Sequence, residues 1–226
     1  MYSEKRGAGM KNKLSFDYDE SRVLYKNDFE EGLNGWTARG PEEGHFDYKK
    51  YEVRVELCGE EAHSGSKCMK ISGRTRAWNG AYLNITKLIK DNIKNYEAMV
   101  WVKLRNDAEP SRIHLSLETT VKMAGVDFPE QCWWEDYNPE LNMLSKFRLP
   151  TSTATTEAAG WDVQYPQGYA TEDGWVLLRG KINIHKSHFD SIYAFIETSG
   201  PQGESEYGGA NINDIYIDDF ILLTGE

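Results

Sequence analysis

The chain has 226 residues, with 26 Lys and Arg against 36 Asp and Glu, so its formal net charge is −10. Apolar residues make up 39% and charged residues 27%, which excludes disordered and fibrous chains. Because the basic residues are scattered along an acidic chain, a phosphate-binding surface, and with it a nucleic-acid partner, is disfavoured. The apolar runs are far shorter than the roughly 20 residues that cross a bilayer, so no membrane-spanning helix is predicted.

The N-terminal segment is basic and lacks the apolar run of a secretory signal peptide. We expect residues 1–22 to be a tag, linker or loose arm, followed by one β-domain over residues 23–226. Two origins fit this segment. Either the protein is intracellular, or it is a module of a longer secreted polypeptide whose signal lies elsewhere.

Alternating apolar and polar residues, the pattern of half-buried strands, recur along the chain. They predict strands near residues 24–29, 51–57, 67–72, 81–85, 97–104, 112–118, 175–184, 192–197 and 215–218. Helical periodicity is limited to a turn or two in residues 86–95. Nine or ten short strands joined by Gly- and Asn-rich turns predict an all-β antiparallel sandwich, a jelly roll.

Strand periodicity fails over residues 122–160, which include the segment Cys-Trp-Trp-Glu-Asp-Tyr at 132–137. A loop of this length inside a compact domain is usually functional or disordered. We therefore expect a long insertion here.

Aromatic residues are abundant, with 7 Trp, 13 Tyr and 8 Phe. In an acidic β protein they suggest sugar binding, because their faces are flat and their edges polar. Strand alternation places Tyr193, Phe195 and Glu197 on the face opposite their apolar neighbours, and so outward. Trp78 precedes an Asn-Gly turn signal, where a large ring is either exposed or caps the core.

Three cysteines cannot all pair with one another. Cys58 and Cys68 flank a Gly-rich turn, so they form either a cross-strand disulfide or two buried thiols. Cys132 is expected to be free.

Acidic residues cluster near both ends of the domain. Their carboxylates converge if the terminal strands pair, and calcium is bound by 6 to 8 such oxygens. Spacing alone leaves this metal site a hypothesis. The clusters are Asp28, Glu30 and Glu31 at the start, and Asp214, Asp218 and Asp219 at the end.

Catalytic interpretations are weaker. A glycosidase needs two carboxylates across a cleft, and Glu118 with Glu197 satisfies that only by chance in so acidic a chain. His185 and His188 have a spacing suited to a helix rather than to a strand, which disfavours zinc. The sequence contains no G-x-S-x-G, P-loop or G-x-G-x-x-G motif.

Several segments, taken in order over residues 24–225, resemble the family 22 carbohydrate-binding modules that accompany bacterial xylanases. The most specific are Trp36-Thr-Ala-Arg39-Gly40, Ser64-Gly65-Ser66 and Arg74-Thr75-Arg-Ala-Trp78-Asn79-Gly80; residues 28–30, 175–178, 196–198 and 215–219 support them. The main departure is at 122–160, which is much longer than the corresponding family segment.

The resemblance implies a β-jelly roll whose concave face binds xylan without catalysis, and a structural calcium ion. The family's cleft residues fall on Arg39, Trp78 and Glu197, with Asn79 beside the Trp and Phe195 at a neighbouring aromatic position. The remaining cleft position, a Tyr in the family, falls on either Trp161 or Tyr165. The calcium ligands would be Asp28, Glu30, Asp218 and a carbonyl near Lys67.

We therefore expect a monomeric, non-catalytic module that binds xylan or related β-linked plant cell-wall glycans and targets an attached glycoside hydrolase. The parent is expected to be a secreted bacterial enzyme. One alternative is a module of the same fold that binds mixed-linkage β-glucan through Trp133, Trp134 and Tyr137, or that only stabilises its neighbour. A less favoured one is a jelly-roll hydrolase or lyase using Glu118, Glu135 or Glu197.

Overall fold

The computed structural model describes residues 18–39, 53–75, 79–105, 112–121, 146–155, 174–183, 189–199 and 213–225. Within these ranges the chain forms eleven strands, one short 3-10 helix at Glu20–Arg22 and no α-helix. The strands are β1 (Val23–Asn27), β2 (Trp36–Arg39), β3 (Arg54–Cys58), β4 (Cys68–Ser72), β5 (Gly80–Asn84), β6 (Asn95–Leu104), β7 (Arg112–Val121), β8 (Lys146–Thr155), β9 (Val176–Asn183), β10 (Phe189–Ser199) and β11 (Ile215–Thr224). In this part of the chain, no helix is long and apolar enough to cross a membrane.

The strands form two antiparallel sheets. The six-stranded sheet has the order β3-β4-β11-β6-β9, and β1 also pairs with β11. The five-stranded sheet has the order β2-β5-β10-β7-β8. The prediction of an all-β antiparallel sandwich is confirmed.

Two apolar clusters stabilise this sandwich. The larger lies between the sheets and joins residues such as Val100 and Leu222 of one sheet to Ile196 of the other. The smaller is formed by residues of the six-stranded sheet, such as Trp101, and by Trp175, which directly precedes β9. Because the two clusters use alternate residues of β6, all its residues from Tyr96 to Leu104 are buried.

Two strands were not predicted. β2 is only four residues long, and β8 lies inside the segment expected to be an insertion without strands, so that expectation is wrong for residues 146–155. β8 begins with the alternating residues Lys-Phe-Arg-Leu at 146–149, but Pro150 and then only Ser, Thr and Ala residues follow. It is an edge strand paired only with β7, and the pairing skips from Arg148 to Thr153, which leaves Pro150 outside the ladder.

Two other expectations differ from the structure. Residues 86–95 form no helix; the amides of Leu88 and Ile89 donate to the Ile85 carbonyl in a turn. The end of the expected loose arm is docked, since Arg22 Nε donates to the Thr224 carbonyl at 2.8 Å. Residues 1–17 lie outside the described residues.

Candidate functional site

The first part of the site is the face of the five-stranded sheet that points away from the inter-sheet core. Arg39 ends β2, and its guanidinium carbon lies 4.7 Å from the centre of the Phe195 ring on β10. Arg39 is 3% exposed and Phe195 is fully buried. Phe195 therefore lies opposite the core-facing Ile196, as alternation predicts, but it is not exposed, because Arg39 covers it.

Gly80 allows Arg39 and Phe195 to meet. It pairs with Arg39 across β2 and β5. A Cβ added at Gly80 would overlap the Ile196 carbonyl oxygen and lie 3.1 Å from the Phe195 ring. A side chain at this position would therefore push β5 away from β10, so the glycine is required by close approach.

Two tyrosines extend this face. Tyr82 is directly opposite Phe195 in the register of β5 and β10. Its ring meets the Tyr193 ring edge to face, with 5.2 Å between their centres, and both side chains are partly exposed. Sequence analysis named Tyr193 but missed Tyr82, which its alternation with the buried Ala81 and Leu83 would have revealed.

The turn that leads into β5 is built by buried polar contacts. Arg74 donates from Nε to the Asn79 carbonyl and from Nη1 to the Asn213 carbonyl, each at 2.7 Å. The Asn79 side-chain oxygen accepts from the Thr75 amide at 3.0 Å and from its hydroxyl at 3.2 Å. Asn79 is fully buried, so these bonds fix Thr75 and Asn79 on either side of residues 76–78, which lie outside the described residues.

The other predicted sugar-binding residues are only partly described. Glu197 lies on β10 opposite His114 of β7, two positions along the strand from Phe195. Trp78, Trp161 and Tyr165 lie outside the described residues, as does Cys132. Of the predicted set, Arg39 and Phe195 are therefore in contact, and Glu197 lies on the same strand as Phe195.

The second part of the site is a junction on β11, where one edge of the strand pairs first with β4 and then with β1. Between these pairings the β11–β6 register shifts after Asp218, and Asp219 adopts a φ of 49°. This local kink turns both carboxylates toward the loop of residues 59–67. The terminal strands β1 and β11 do pair here, with Asn27 opposite Phe220.

Asp218 and Asp219 are held by that loop. Asp218 Oδ2 accepts from the amides of His63 at 2.8 Å and Ser64 at 2.9 Å. Asp219 contacts the His63 ring nitrogen Nδ1 at 2.7 Å and accepts from the Ser64 hydroxyl at 2.8 Å. The His63 ring stacks on Trp101 with 3.9 Å between centres, which fixes the loop on the outer apolar cluster.

Glu30 binds the other end of the same loop. Its carboxylate accepts from the amides of Ser66 at 2.6 Å and Lys67 at 2.7 Å and from the Ser66 hydroxyl at 2.8 Å. These hydrogen bonds hold the pKa of Glu30 below its ordinary value. Lys67 Nζ donates to the Glu30 carbonyl at 2.8 Å, so this end of the loop carries its own positive charge.

Negative charge is less well compensated at Asp218. Its side chain is fully buried, and burial, followed by the neighbouring Asp219 carboxylate, raises its pKa to about 7. Asp28 lies beside Glu30, whose amide donates to the Asp28 carboxylate at 3.2 Å. Among the described residues, however, no three His, Cys, Asp or Glu side chains are grouped closely enough to hold a metal by themselves.

With this geometry established, comparison with known proteins shows what the chain is similar to. Residues 21–127 match the model of a family described as a carbohydrate binding domain. This match supports a binding module rather than an enzyme, as predicted.

Part of this chain is also similar to short segments of curated bacterial xylanases. Endo-1,4-beta-xylanase C of Paenibacillus barcinonensis is 33% identical over 97 residues, which are 42% of this chain and 8% of that protein. Endo-1,4-beta-xylanase A of Thermotoga maritima is 30% identical over 97 residues, 43% of this chain and 8% of that protein. The matched segments thus span less than a tenth of these relatives.

Solved structures of carbohydrate-binding modules share the fold of the chain. The CBM22-1 xylan-binding domain from Paenibacillus barcinonensis Xyn10C superposes with a TM-score of 0.58 at 21% identity, covering 89% of this chain and 94% of that domain. The C-terminal family 22 module of Clostridium thermocellum Xyn10B gives 0.59 at 19% identity, covering 92% and 97%. The predicted resemblance to family 22 carbohydrate-binding modules is confirmed.

Proposed function

We propose that this chain is a xylan-binding module that brings an attached xylanase to its substrate. The observation that carries the proposal is the face built from Arg39, Phe195, Tyr82 and Tyr193 in a chain whose residues 21–127 match the model of a carbohydrate binding domain. This face combines flat aromatic surface with a cation and hydroxyl groups. Such a combination suits a neutral sugar chain, which offers C–H groups on its ring faces and hydroxyls on its edges.

Each residue has a distinct proposed role. Trp78 stacks on a xylose ring, while Arg39 and Glu197 hydrogen-bond the hydroxyls at the ring edge. Tyr82 and Tyr193 extend the contact along β5 and β10. Phe195 is buried beneath Arg39, so its proposed role is to support the guanidinium rather than to touch the sugar.

The proposed specificity follows from shape. Xylose lacks the exocyclic CH2OH group of glucose, so a narrow cleft admits xylan and rejects cellulose by steric clash. Affinity for a shallow, hydrated site of this kind is expected at about 10 μM to 1 mM, or roughly 4 to 7 kcal/mol. Attachment to a catalytic domain makes such weak binding useful, because it raises the local substrate concentration.

The parent protein is proposed to be a secreted bacterial xylanase. The support is that the curated relatives are bacterial xylanases and that the matched segments make up 8% of each. Polymeric xylan does not cross membranes, so an enzyme that acts on it works outside the cell. The direct test is to purify the full-length parent from culture medium and to measure its size and its xylanase activity.

Affinity electrophoresis tests the sugar proposal. Gels are cast with glucuronoxylan, arabinoxylan, barley β-glucan or no polysaccharide, and we expect retardation on the xylans and no release of reducing sugar. Trp78→Ala and Glu197→Ala are each expected to abolish retardation while keeping the wild-type circular dichroism spectrum. The matched control is Leu57→Ala, because Leu57 is 39% exposed on the opposite sheet.

Four outcomes would contradict the proposal. Retention of both variants on xylan would place the binding cleft elsewhere. Retardation only on β-glucan would favour the alternative glycan, and release of reducing sugar would favour the hydrolase. No retardation on any gel would leave a module that only stabilises its neighbour.

We also propose that a calcium ion is bound at the junction on β11, by Asp28, Glu30, Asp218 and the Lys67 carbonyl. These donors are all oxygens, which suits calcium, and calcium sites are commonly completed by backbone carbonyls and water. The buried charge of Asp218 beside Asp219 supports a cation here. Since the junction lies on the other sheet from the proposed sugar face, the ion would stabilise the fold rather than contact xylan.

A further inference from the structure

The cysteines at positions 58 and 68 occupy facing positions in the six-stranded sheet. Cys58 is the last residue of β3, Cys68 is the first residue of β4, and the antiparallel register pairs them directly. Both side chains are buried, at 8% and 0% exposure. The structure contains them as thiols, on residues that the strand register places directly opposite each other.

The backbone geometry is compatible with that bond. Directly opposed residues in an antiparallel pair have Cα atoms about 4.5 or 5.5 Å apart, depending on the hydrogen-bonding position. Disulfides span Cα separations of about 4.4 to 6.8 Å. β3 is also at the edge of its sheet and pairs only with β4, so its last residue can adjust without disturbing a second neighbour.

We propose that Cys58 and Cys68 form a cross-strand disulfide when the protein folds in an oxidising environment. The residues between them, 59–67, supply amide and hydroxyl groups that hold the carboxylates of Glu30, Asp218 and Asp219. The cross-link would therefore close this loop at its base and limit its freedom in the unfolded chain. The proposal is independent of the sugar that the other sheet binds.

The bond forms by thiol–disulfide exchange with a small disulfide such as oxidised glutathione. One cysteine thiolate attacks a glutathione sulfur, which releases one glutathione thiolate and leaves a mixed disulfide on the protein. The second cysteine thiolate then attacks the protein sulfur of that mixed disulfide and releases the second glutathione. The two cysteines are oxidised, the glutathione disulfide is reduced to two thiols, and the two cysteine protons end on the released thiolates.

The time at which the bond forms follows from burial. Burial raises the pKa of the Cys68 thiol well above its ordinary value, so the folded, reduced protein contains little reactive thiolate. Thiol–disulfide exchange is therefore expected during folding, before the two cysteines become buried. Protein that has folded in a reducing environment should remain reduced for a long time after transfer to air.

The test is to unfold the protein in urea with reductant and refold it with either reduced or oxidised glutathione. Thiols are then alkylated in urea without reductant, and the protein is digested with trypsin. Trypsin cuts after Lys67, so the proposed bond joins peptide 55–67 to peptide 68–70. We expect these linked peptides, with the loss of two hydrogens, only in the oxidised sample. We also expect its melting temperature to be roughly 5 to 10 °C higher than that of the reduced protein.

Two variants serve as controls. Cys132→Ala removes the third cysteine and should retain both the linked peptides and the difference in melting temperature. The double variant Cys58→Ala, Cys68→Ala should give the same melting temperature after either refolding. Three alkylated cysteines in the oxidised wild type, or a bond to Cys132 in place of this pair, would overturn the proposal.

Discussion

Replacing Gly80 with Ala tests whether the close approach of β5 and β10 builds the proposed sugar face. The added Cβ would overlap the Ile196 carbonyl oxygen and press on the Phe195 ring at 3.1 Å. The carbonyl belongs to a paired strand and cannot rotate away as the end of a side chain can. Inserting a methyl group into such a site typically costs about 1 to 3 kcal/mol.

The cost should appear as a lower melting temperature. In a domain of this size, each kcal/mol shifts the melting temperature by about 2 to 4 °C, so Gly80→Ala is expected to lower it by roughly 3 to 10 °C. Because Gly80 pairs with Arg39, separating the strands should also weaken the contact between Arg39 and Phe195 and reduce xylan affinity. Circular dichroism melting and isothermal titration with xylohexaose measure the two effects.

Gly59→Ala is the matched control. A Cβ at Gly59 meets only the Ser66 carbonyl oxygen, at an ordinary 3.6 Å, so this variant should melt within about 2 °C of the wild type. Equal melting temperatures for Gly80→Ala and Gly59→Ala would refute the reasoning. It would mean that the two strands are not as close at Gly80 as the structure places them.

The remaining predictions concern stability and positioning. Dialysis against EDTA should lower the melting temperature by several degrees while leaving xylan affinity at 25 °C within about twofold. Added calcium should restore the melting temperature. An unchanged melting curve after dialysis would contradict the metal proposal. Tyr96→Phe should cost about 1 to 2 kcal/mol in urea unfolding, because the buried Tyr96 hydroxyl accepts from the Lys90 amide at 2.8 Å and donates to the Ile93 carbonyl. Arg74→Lys should reduce xylan affinity and stability together, since a lysine cannot reach the Asn79 and Asn213 carbonyls at once; normal affinity in a stable variant would show that this turn does not position Trp78.

The fold was largely predictable because apolar and polar residues alternate in the sequence of several strands. β7 and β10 alternate along their length, and their predicted positions were correct. β8 was missed because its apolar alternation ends after four residues, at Pro150, and only Ser, Thr and Ala residues follow. β2 was too short for its pattern to stand out.

The strand positions of Arg39, Phe195 and Glu197 were predictable from the sequence, but the environment of the side chains was not. The motifs identified Arg39 and Phe195, yet alternation alone placed Phe195 in solvent. It could not show that a charged side chain from a distant strand covers the ring. Asn79 was likewise predicted to bind sugar, whereas the structure buries it in a turn with Thr75. Such burial depends on tertiary contacts that local sequence does not encode.

The two sheets carry different properties, and this separation has a mechanistic consequence. The six-stranded sheet contains the outer apolar cluster, the cysteine pair and the acidic junction, whereas the five-stranded sheet carries Arg39, Tyr82 and Tyr193. They share the inter-sheet core, so loosening one sheet lowers the stability of the whole domain. Changes at sites far apart in a domain, however, usually add with little coupling. Breaking the proposed disulfide or removing the proposed calcium should therefore change how long the module survives, and not how tightly it binds sugar once folded.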